Sequence, residues 1–359
     1  MFGSDELSSL RWDPVSEAVE IIDQTLLPHT LRWCHLDSLE AFCHAIRSMQ
    51  VRGAPLIGIT AAFGLSHAIS QDASDENLAS ASTALLATRP TAVNLRWALD
   101  QVGEAVRNLP LEQRAAVARE KAITLRAQDI ANCERIGSNG LELLRPLYSG
   151  GTLNIMTHCN AGWLATIQWG TALAPVYKAM ENGIDVHVWV SETRPRNQGT
   201  NLTAWELQRA GVPCTVVADN NCGQLMRQGR VDCVIVGSDC TASNGDVCNK
   251  VGTYLKALAA RANDLPFFVA LPGSSIDWSC ASGEDIPIEE RDASEILSIA
   301  GIDAKGDLLE VNLASRETQA LNQAFDVTPS ELVTALITDY GSYEASPAGL
   351  GKLRTALDS

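Results

Sequence analysis

The chain has 359 residues, enough for two domains, because single hydrophobic cores stop growing at roughly 250 to 300 residues. Its formal net charge of −16 argues against a broad basic surface for nucleic acid or anionic lipid. Ten cysteines without a Cys-x-x-Cys pair or zinc-type His spacing argue against a structural metal and favour a reducing, cytoplasmic compartment.

The amino-terminal part of the chain has a mainly helical pattern. Apolar residues recur at helical intervals in FCHAIRSM, LIGITAAFGLSHAI, VNLRWALDQVGEAV and LEQRAAVAREKAITLRAQDIANCERIG. The apolar stretch 54–69 is shorter than the ~20 residues that span a bilayer, so it predicts a buried helix and no membrane partner. The first residues, MFGSDELSSLRWD, lack the pattern of a secretory signal. We predict a mainly helical domain over residues 1–148.

Two interruptions of this helical part place an arginine beside glycine or proline. Arg52 lies in VRGAP and Arg89 lies in TRPTAVN, each just before a predicted helix. A guanidinium next to a helix amino end suits a phosphate group. Either motif alone is also typical of a solvated turn. The helical domain is therefore expected to contribute phosphate-binding loops.

From residue 152 onward, a short apolar run that ends in polar or reactive residues recurs five times. The runs are TLNIMTHCN, VHVWVSETR, CTVVADN, VDCVIVGSD and PFFVALPGSS. They predict a parallel sheet with both faces covered, that is, an α/β, Rossmann-like domain over residues 149–342. The tail, residues 343–359, mixes Gly, Pro and Ser, and we expect it to be flexible.

Ligands of such sheets bind outside the carboxyl ends of the strands. Cys159 follows the first run, and the segment after it, residues 163–180, is predicted as a helix whose amino end would lower the pKa of the thiol. Asp239 ends the fourth run, where it either caps a turn or acts as a general acid. Lys250, at the head of the next predicted helix, offers a cation. Other strand-end residues expected at this crevice are His158, Asn160, Glu192, Thr193, Arg194, Asp219 and Asn220.

The polar loop after the second run contains Gln198, and Thr203 with Glu206 obeys the capping-box interval of a helix start. The loops contain neither the GxGxxG dinucleotide fingerprint nor the Gly-Lys-Ser/Thr phosphate loop. Neither a nicotinamide cofactor nor a nucleoside triphosphate is therefore indicated.

Seven segments, taken in order, resemble the methylthioribose-1-phosphate isomerase family. They are VRGAPLIGITAAFG, RPTAVNLRWAL, THCNAGWLAT, ETRPRNQGTNLTAWEL, GSDCTASNGDVCNKVGTY, IPIEER and AFDVTPSELVTALIT, within about residues 14 to 341. That family is related in fold to regulatory subunits of a translation-initiation exchange factor and to ribose-1,5-bisphosphate isomerases. The resemblance implies a helical amino-terminal domain, a Rossmann-like carboxyl-terminal domain, a homodimer, and no cofactor or metal.

Position by position, the resemblance implies that Cys159 is the catalytic thiol and Asp239 the catalytic acid and base. It also implies a substrate-binding set, namely Arg52, Gly53, Ala54, Arg89, Gln198, Asn249 and Lys250. After the aspartate, the family usually has Arg-Ile-Ala, whereas this chain has Cys240, Thr241 and Ala242. The missing arginine removes a fixed cation beside Asp239 and leaves substrate preference open.

The implied activity converts 5-methylthioribose 1-phosphate to 5-methylthioribulose 1-phosphate, an aldose–ketose isomerisation of methionine salvage. 5-Deoxyribose 1-phosphate is an alternative or second substrate, because an apolar pocket discriminates such groups by only about 1–3 kcal/mol. A ribose-1,5-bisphosphate isomerase would need a second cationic site, which is not obvious in the sequence. A non-catalytic subunit that senses a sugar phosphate is a further alternative, although it has no need for the thiol and the acid. Whether hydrogen moves as a proton or as a hydride stays open.

Overall fold

The computed structural model describes residues 7–90 and 92–358. The amino-terminal part begins with an antiparallel sheet of β1 (Leu10–Asp13), β2 (Ala18–Ile22) and β3 (Trp33–Leu36). Five helices follow: α1 (Leu39–Arg47), α2 (Ala54–Gln71), α3 (Asp75–Leu86), α4 (Val93–Val106) and α5 (Leu111–Leu144). The four helices predicted from periodicity are confirmed, whereas the small sheet and α3 were not predicted.

The rest of the chain alternates strands and helices. In order, the elements are β4 (Leu153–Thr157), α6 (Ala174–Glu181), β5 (Val186–Ser191), α7 (Ala204–Arg209), β6 (Cys214–Val217), α8 (Cys222–Arg227), β7 (Cys233–Val236), β8 (Cys240–Ala242), β9 (Val247–Lys250), α9 (Thr253–Ala262), β10 (Phe267–Ala270), β11 (Ile276–Asp277), α10 (Ser294–Leu297), β12 (Ser298–Ile302), β13 (Leu308–Asn312), β14 (Phe325–Thr328), β15 (Ala335–Thr338), β16 (Gly341–Tyr343) and α11 (Pro347–Leu357).

The main sheet has seven strands in the order β16-β15-β10-β7-β4-β5-β6. All strands except β16 pair in parallel, and the five predicted apolar runs are five of them. Strand β7 is buried along its whole length, as expected for a sheet covered on both faces. The prediction of a Rossmann-like α/β domain behind a helical domain is therefore confirmed.

A second, four-stranded sheet in the order β11-β8-β9-β14 stands at the carboxyl ends of the main strands. Its centre is the hairpin β8–β9, which turns at Asn244 and Gly245. The prediction that Asn249 and Lys250 begin a helix is wrong. They lie in β9 because this strand pairs with β14, and the helix α9 starts later, at Thr253.

The segment after Cys159 also differs from its prediction. Residues 163–165 form a single 3₁₀ turn, and the continuous helix expected over 163–180 is reduced to α6, which starts at Ala174. Trp169 and Gly170 have φ angles of 67° and 83°, a left-handed conformation that a right-handed helix does not contain. The segment is an irregular loop that is buried on all sides, so most of its residues are apolar. Their spacing therefore fitted a helix without indicating one.

The tail is helical where the sequence predicted a flexible segment. Ser346 caps α11 by accepting a hydrogen bond from the N–H of Gly349. Leu350 and Leu353 are fully buried on one face of the helix. Their spacing is that of an amphipathic helix, and Ser-Pro at its start is a typical helix signal. Ser359 lies outside the described residues.

Helix α5 runs between the two parts of the molecule. Its Leu125 belongs to the core of the helical layer, while its Leu144 belongs to the core beneath the main sheet. The boundary near residue 148 stays a prediction. Within residues 7–90 and 92–358, none of the helices combines the length and apolarity needed to cross a membrane.

Candidate active site

A cavity lies at the carboxyl ends of β4, β5 and β7, where the amino ends of α2 and α4 meet the sheet. It encloses about 1000 Å³ of empty space, including its solvent-open mouth. The nine residues predicted for the site all line it, namely Arg52, Gly53, Ala54, Arg89, Cys159, Gln198, Asp239, Asn249 and Lys250. Residues more than 100 positions apart in the sequence thus face one space, while their chemical roles stay predictions.

Cys159 is held by three side chains of the segment between β5 and α7. Its N–H donates to Thr193 Oγ1 at 2.9 Å, and its carbonyl accepts from Thr203 Oγ1 at 2.6 Å. Its Sγ donates to Gln198 Oε1 at 3.2 Å. The residue has a φ of 62°, a conformation that is uncommon outside glycine and that clusters at functional sites. The thiol is therefore oriented towards an amide, and Cys159 as a residue is buried, with 8 % exposure.

The predicted low pKa of Cys159 is wrong. Burial raises the pKa of the Cys159 thiol, and the nearby charges of Arg52 and Lys250 oppose this rise only in part. The expected helix dipole is missing because the following helix starts at Ala174. The thiol is consequently a neutral hydrogen-bond donor in the free protein.

The predicted capping box of Thr203 and Glu206 is also wrong. Residues 199–203 form a π-helical turn, and the Thr203 hydroxyl serves Cys159 rather than the start of α7. Glu206 is fully buried, and its Oε2 accepts the N–H of Leu164 at 3.1 Å. Both side chains therefore support the loop that carries the thiol.

Arg52 joins the helical layer to this loop. Its Nη2 donates to the carbonyl of Asn160 at 2.7 Å and its Nη1 donates to Asn160 Oδ1. Gly53 has a φ of 93°, and a Cβ there would lie 2.5 Å from the carbonyl oxygen of Ala165. Ala54 then begins α2, whose amino end has no side-chain cap. A buried guanidinium and uncapped helix N–H groups thus border the cavity, a combination that suits an anion.

The hairpin β8–β9 supplies the opposite wall. The N–H of Asp239 donates to the carbonyl of Cys248 at 3.0 Å, just before β8. Asn249 Nδ2 donates to Thr253 Oγ1 at 3.1 Å, and Lys250 Nζ donates to the carbonyl of Ala324 at 2.8 Å. Burial lowers the pKa of Lys250 to about 8, and the charge of Arg291 adds to this effect. Lys250 therefore loses its proton at a lower pH than an exposed lysine does.

Three residues of this region were missed by sequence reasoning. Arg291 and Phe325 line the cavity, and Glu289 binds two arginines beside it. Arg89 Nη2 donates to Glu289 Oε2 at 3.2 Å, and Arg291 Nε donates to Glu289 Oε1 at 2.9 Å. The motif IPIEER contains Glu289 and Arg291 and was part of the family resemblance. Its local pattern carries no signal of a cavity, and no site role was predicted for any residue of this motif.

Several strand-end residues expected at the crevice serve the structure instead. His158 Nε2 hydrogen-bonds the carbonyl of Val251 at 2.8 Å, and burial lowers the pKa of His158 to about 3, so the ring is neutral. Asp219 accepts the N–H groups of Thr193 and Arg194, each at 2.8 Å. His158, Asp219 and Glu192 are not among the residues that line the cavity, whereas Asn160 is. Among the described residues, no cluster of His, Cys, Asp or Glu has a metal-binding arrangement.

Fold and cavity together define an α/β protein with a cationic, partly apolar cavity at the strand ends of a Rossmann-like sheet. The model of the initiation factor 2 subunit family matches residues 50–345. The methylthioribose-1-phosphate isomerase of Rhodospirillum rubrum is 54% identical, over 94% of this chain and 88% of the relative. That of Dechloromonas aromatica is 55% identical, over 95% of each chain.

Two solved structures are also similar over nearly the whole chain. The crystal structure of 5-methylthioribose 1-phosphate isomerase from Pyrococcus horikoshii has a TM-score of 0.83 at 36% identity and covers 98% of this chain and 96% of its own. That of the translation initiation factor eIF-2B, subunit delta, from A. fulgidus has a TM-score of 0.80 at 35% identity and covers 99% of this chain and 100% of its own. The chain belongs to the initiation factor 2 subunit family and, within it, to the methylthioribose-1-phosphate isomerases. The resemblance found in the sequence is thereby confirmed.

Proposed function

We propose that this chain is an aldose–ketose isomerase that converts 5-methylthioribose 1-phosphate to 5-methylthioribulose 1-phosphate in methionine salvage. One observation carries the proposal: the thiol of Cys159 and the carboxyl of Asp239 line the same cavity, which is rich in cations. The relatives named above bear the name of this activity. A cytoplasmic homodimer is part of the proposal. The compartment rests on the cysteine content, and the dimer rests on the family resemblance.

The substrate poses a specific chemical problem. Its anomeric oxygen is esterified, so the ring must be opened by acid catalysis before hydrogen can move from C2 to C1. In our proposal, Asp239 donates a proton to the ring oxygen, while Arg52 and Lys250 hold the phosphate. The C2 hydroxyl then becomes the ketone and its proton returns to Asp239. The acid is thereby regenerated within one cycle.

The state of the thiol bears on how hydrogen moves. A proton route needs Cys159 as a base, whereas a hydride route needs the thiol only to stabilise positive charge. The raised pKa of Cys159 and its hydrogen bond to Gln198 favour the hydride route, because a protonated thiol is a weak base. Deuterium at C2 of the substrate should then appear fully at C1 of the product. Exchange of that deuterium with solvent during turnover would support the proton route instead.

5-Deoxyribose 1-phosphate is an alternative or additional substrate. The cavity has apolar lining from Met49, Ile57, Ile286 and Phe325, which suits either a methylthio group on C5 or the bare C5 methyl of the deoxy sugar. Cys240, which stands where the family usually has arginine, also lines the cavity and adds no charge there. Apolar contacts of this kind separate the two sugars by only about 1–3 kcal/mol. Use of both substrates is therefore compatible with the site.

The purified full chain should be assayed with 5-methylthioribose 1-phosphate, 5-deoxyribose 1-phosphate and ribose 1,5-bisphosphate. We expect the highest kcat/KM with the first sugar, measurable turnover of the second and little of the third. Preference for the second sugar would move the assignment to deoxyribose salvage. Binding of the sugars without any turnover would contradict an enzyme and support a regulatory, sugar-phosphate-sensing subunit. Sedimentation equilibrium of the same sample tests the homodimer.

A further inference from the structure

Four cationic side chains of the described residues line the cavity, and they fall into two pairs. Arg52 and Lys250 both act on the Cys159 thiol, and their hydrogen bonds go to neutral oxygens, of Asn160 and Ala324 respectively. This first pair keeps its positive charge uncompensated by a direct carboxylate contact among the described residues. It is therefore suited to one phosphate dianion.

Arg89 and Arg291 form the second pair, and they share the carboxylate of Glu289. Arg291 grips it in a fork, with Nε at 2.9 Å from Oε1 and Nη2 at 3.5 Å from Oε2, while Arg89 Nη2 lies 3.2 Å from Oε2. The side chains of Arg89 and Arg291 are 14% and 9% exposed and that of Glu289 is 25% exposed, so this contact is shielded from water in part. The pair thus already holds an anion that belongs to the protein.

Glu289 is fixed in this place by its own backbone. Its carbonyl accepts the N–H of Ala324 at 2.9 Å, and the N–H of Arg291 donates to the carbonyl of Asn322 at 2.8 Å. These bonds tie the segment to the chain just before β14. Burial acts to raise the pKa of Glu289, but the hydrogen bond from Arg291 and the charge of Arg89 outweigh it and lower the pKa. The carboxylate therefore stays charged beside the cavity, bound to two arginines that line it.

We propose that Glu289 is a specificity-determining residue that restricts the site to sugars with a single phosphate. Without Glu289, Arg89 and Arg291 would form a second site for a phosphate dianion. With it, both guanidinium groups already bind a carboxylate, whose negative charge opposes a second phosphate beside them. Arg89 keeps further N–H donors for a neutral sugar hydroxyl. Its role in this proposal is therefore to bind the sugar, in place of the phosphate binding that its motif predicted.

This inference rests on the proposed isomerase function, and its test uses the Glu289→Gln variant of the full chain. Glutamine keeps the size of the side chain and removes its charge. We expect the ratio of kcat/KM for ribose 1,5-bisphosphate to that for 5-methylthioribose 1-phosphate to rise at least tenfold. The inhibition constant of ribose 1,5-bisphosphate against the monophosphate should fall by a similar factor, and high salt should diminish both changes.

The neighbouring Glu290→Gln variant is the matched control. Glu290 is exposed, and its substitution removes the same charge from the chain. Its substrate ratio should equal that of the wild type. Glu289→Asp, which keeps the charge, should retain most of the discrimination. An unchanged ratio in a folded Glu289→Gln variant, or equal losses of discrimination in the Asp and Gln variants, would overturn the inference.

Failure of the proposed function gives a different result. If the wild type turned over none of the sugars, calorimetry would still compare the binding of ribose 1,5-bisphosphate to the wild type and to Glu289→Gln. Tighter binding of the bisphosphate by the variant would then uphold the role of Glu289 without the isomerase. If Glu289→Gln fails to fold, the wild type and Glu289→Asp are compared instead. Stronger binding of the bisphosphate than of the monophosphate by both proteins would overturn the inference.

Discussion

Cys159 and Asp239 reach the cavity from different elements, the first from the loop after β4 and the second from the loop before β8. In the proposed reaction each supplies one group that acts on the substrate. Asp239→Asn and Cys159→Ser should therefore lower kcat by about 100-fold or more and change KM little, since proton transfer contributes about 10² to 10⁴.

Steady-state kinetics measures this split between kcat and KM. Cys34→Ser is the control, because Cys34 in β3 is not among the residues that line the cavity. Retention of most of the rate by Asp239→Asn would show that another group is the acid.

Lys250 makes binding depend on pH. Burial lowers its pKa to about 8, so the side chain is a cation below this pH and loses its charge as the pH rises through it. The phosphate of the substrate stays a dianion over this range. KM should therefore increase as the pH rises above about 8, while kcat changes less.

The Lys250→Arg variant tests this prediction, because a guanidinium stays charged at every accessible pH. Its KM, whatever its absolute value, should be constant from about pH 7 to 9.5 in pH-dependent kinetics. The same rise in KM with pH in both proteins would assign the titration to another group.

Glu206 links protonation to stability. The side chain is fully buried, its Oε1 has no hydrogen-bond partner among the described residues, and burial raises its pKa from 4.5 to about 8. The folded protein thus holds this proton more tightly than the unfolded chain does. The resulting stability is fully present below pH 4.5 and is lost as the pH rises towards 8.

Relative to Glu206→Gln, the free energy of unfolding of the wild type should fall by about 1.4 kcal/mol per pH unit within this window. Urea denaturation of both proteins at several pH values measures the difference. Parallel stability curves would mean that Glu206 titrates alike in the folded and unfolded chain.

At the scale of elements, the start of α2 holds the two halves of the site together. Gly53 has a φ of 93°, and its Cα packs so closely on Ala165 that an added Cβ would lie 2.5 Å from a backbone oxygen. No flexible side chain can yield there. Gly53→Ala should cost more than about 2 kcal/mol of folding free energy and raise KM, since Arg52 precedes it.

The matched control is Gly103→Ala in the interior of α4. A Cβ at Gly103 meets no atom within 4 Å, and alanine favours a helix over glycine by about 0.5–1 kcal/mol. Chemical denaturation should therefore show opposite signs for the two substitutions. Equal effects would mean that the contact between Gly53 and Ala165 is looser than described.

Elements with a sustained period were predictable from the sequence, and elements defined by distant partners were not. The apolar runs of β4 and β7 and the long pattern of α5 are sufficient to identify them. In contrast, β9 is a strand only because it pairs with β8 and β14, so Lys250 was assigned to a helix. Local patterns contain no information about such a pairing.

The site shows the same limit. Cys159 and Asp239 stand at strand ends, where the general rule for parallel sheets places ligands. Glu289 lies in a stretch without regular structure, between β11 and α10, and reaches the site through bonds to Arg89 and Arg291. Its contribution depends on a tertiary contact across about 200 residues of sequence, which no local pattern predicts.

At the scale of the whole molecule, three hydrophobic cores support the cavity. One lies within the helical layer and the other two lie on the two faces of the main sheet. The cavity forms where the helical layer meets the strand ends, so both parts contribute cations to it. A substitution that loosens the packing of the helical layer against the strand ends is therefore expected to weaken ligand binding, even when no residue that lines the cavity changes.

The carboxyl-terminal helix α11 closes the third of these cores, and this contact offers a test at the same scale. Leu353 is fully buried with Val234 and Val236 of β7 in that core. Leu353→Ala should lower the free energy of unfolding by about 2–5 kcal/mol, because it removes buried methyl groups and leaves a cavity. Lys352→Ala, one residue earlier on the exposed face, should change it by less than about 0.5 kcal/mol. Urea denaturation measures both values, and a loss below 1 kcal/mol for Leu353→Ala would mean that α11 is loosely attached, as the sequence first predicted.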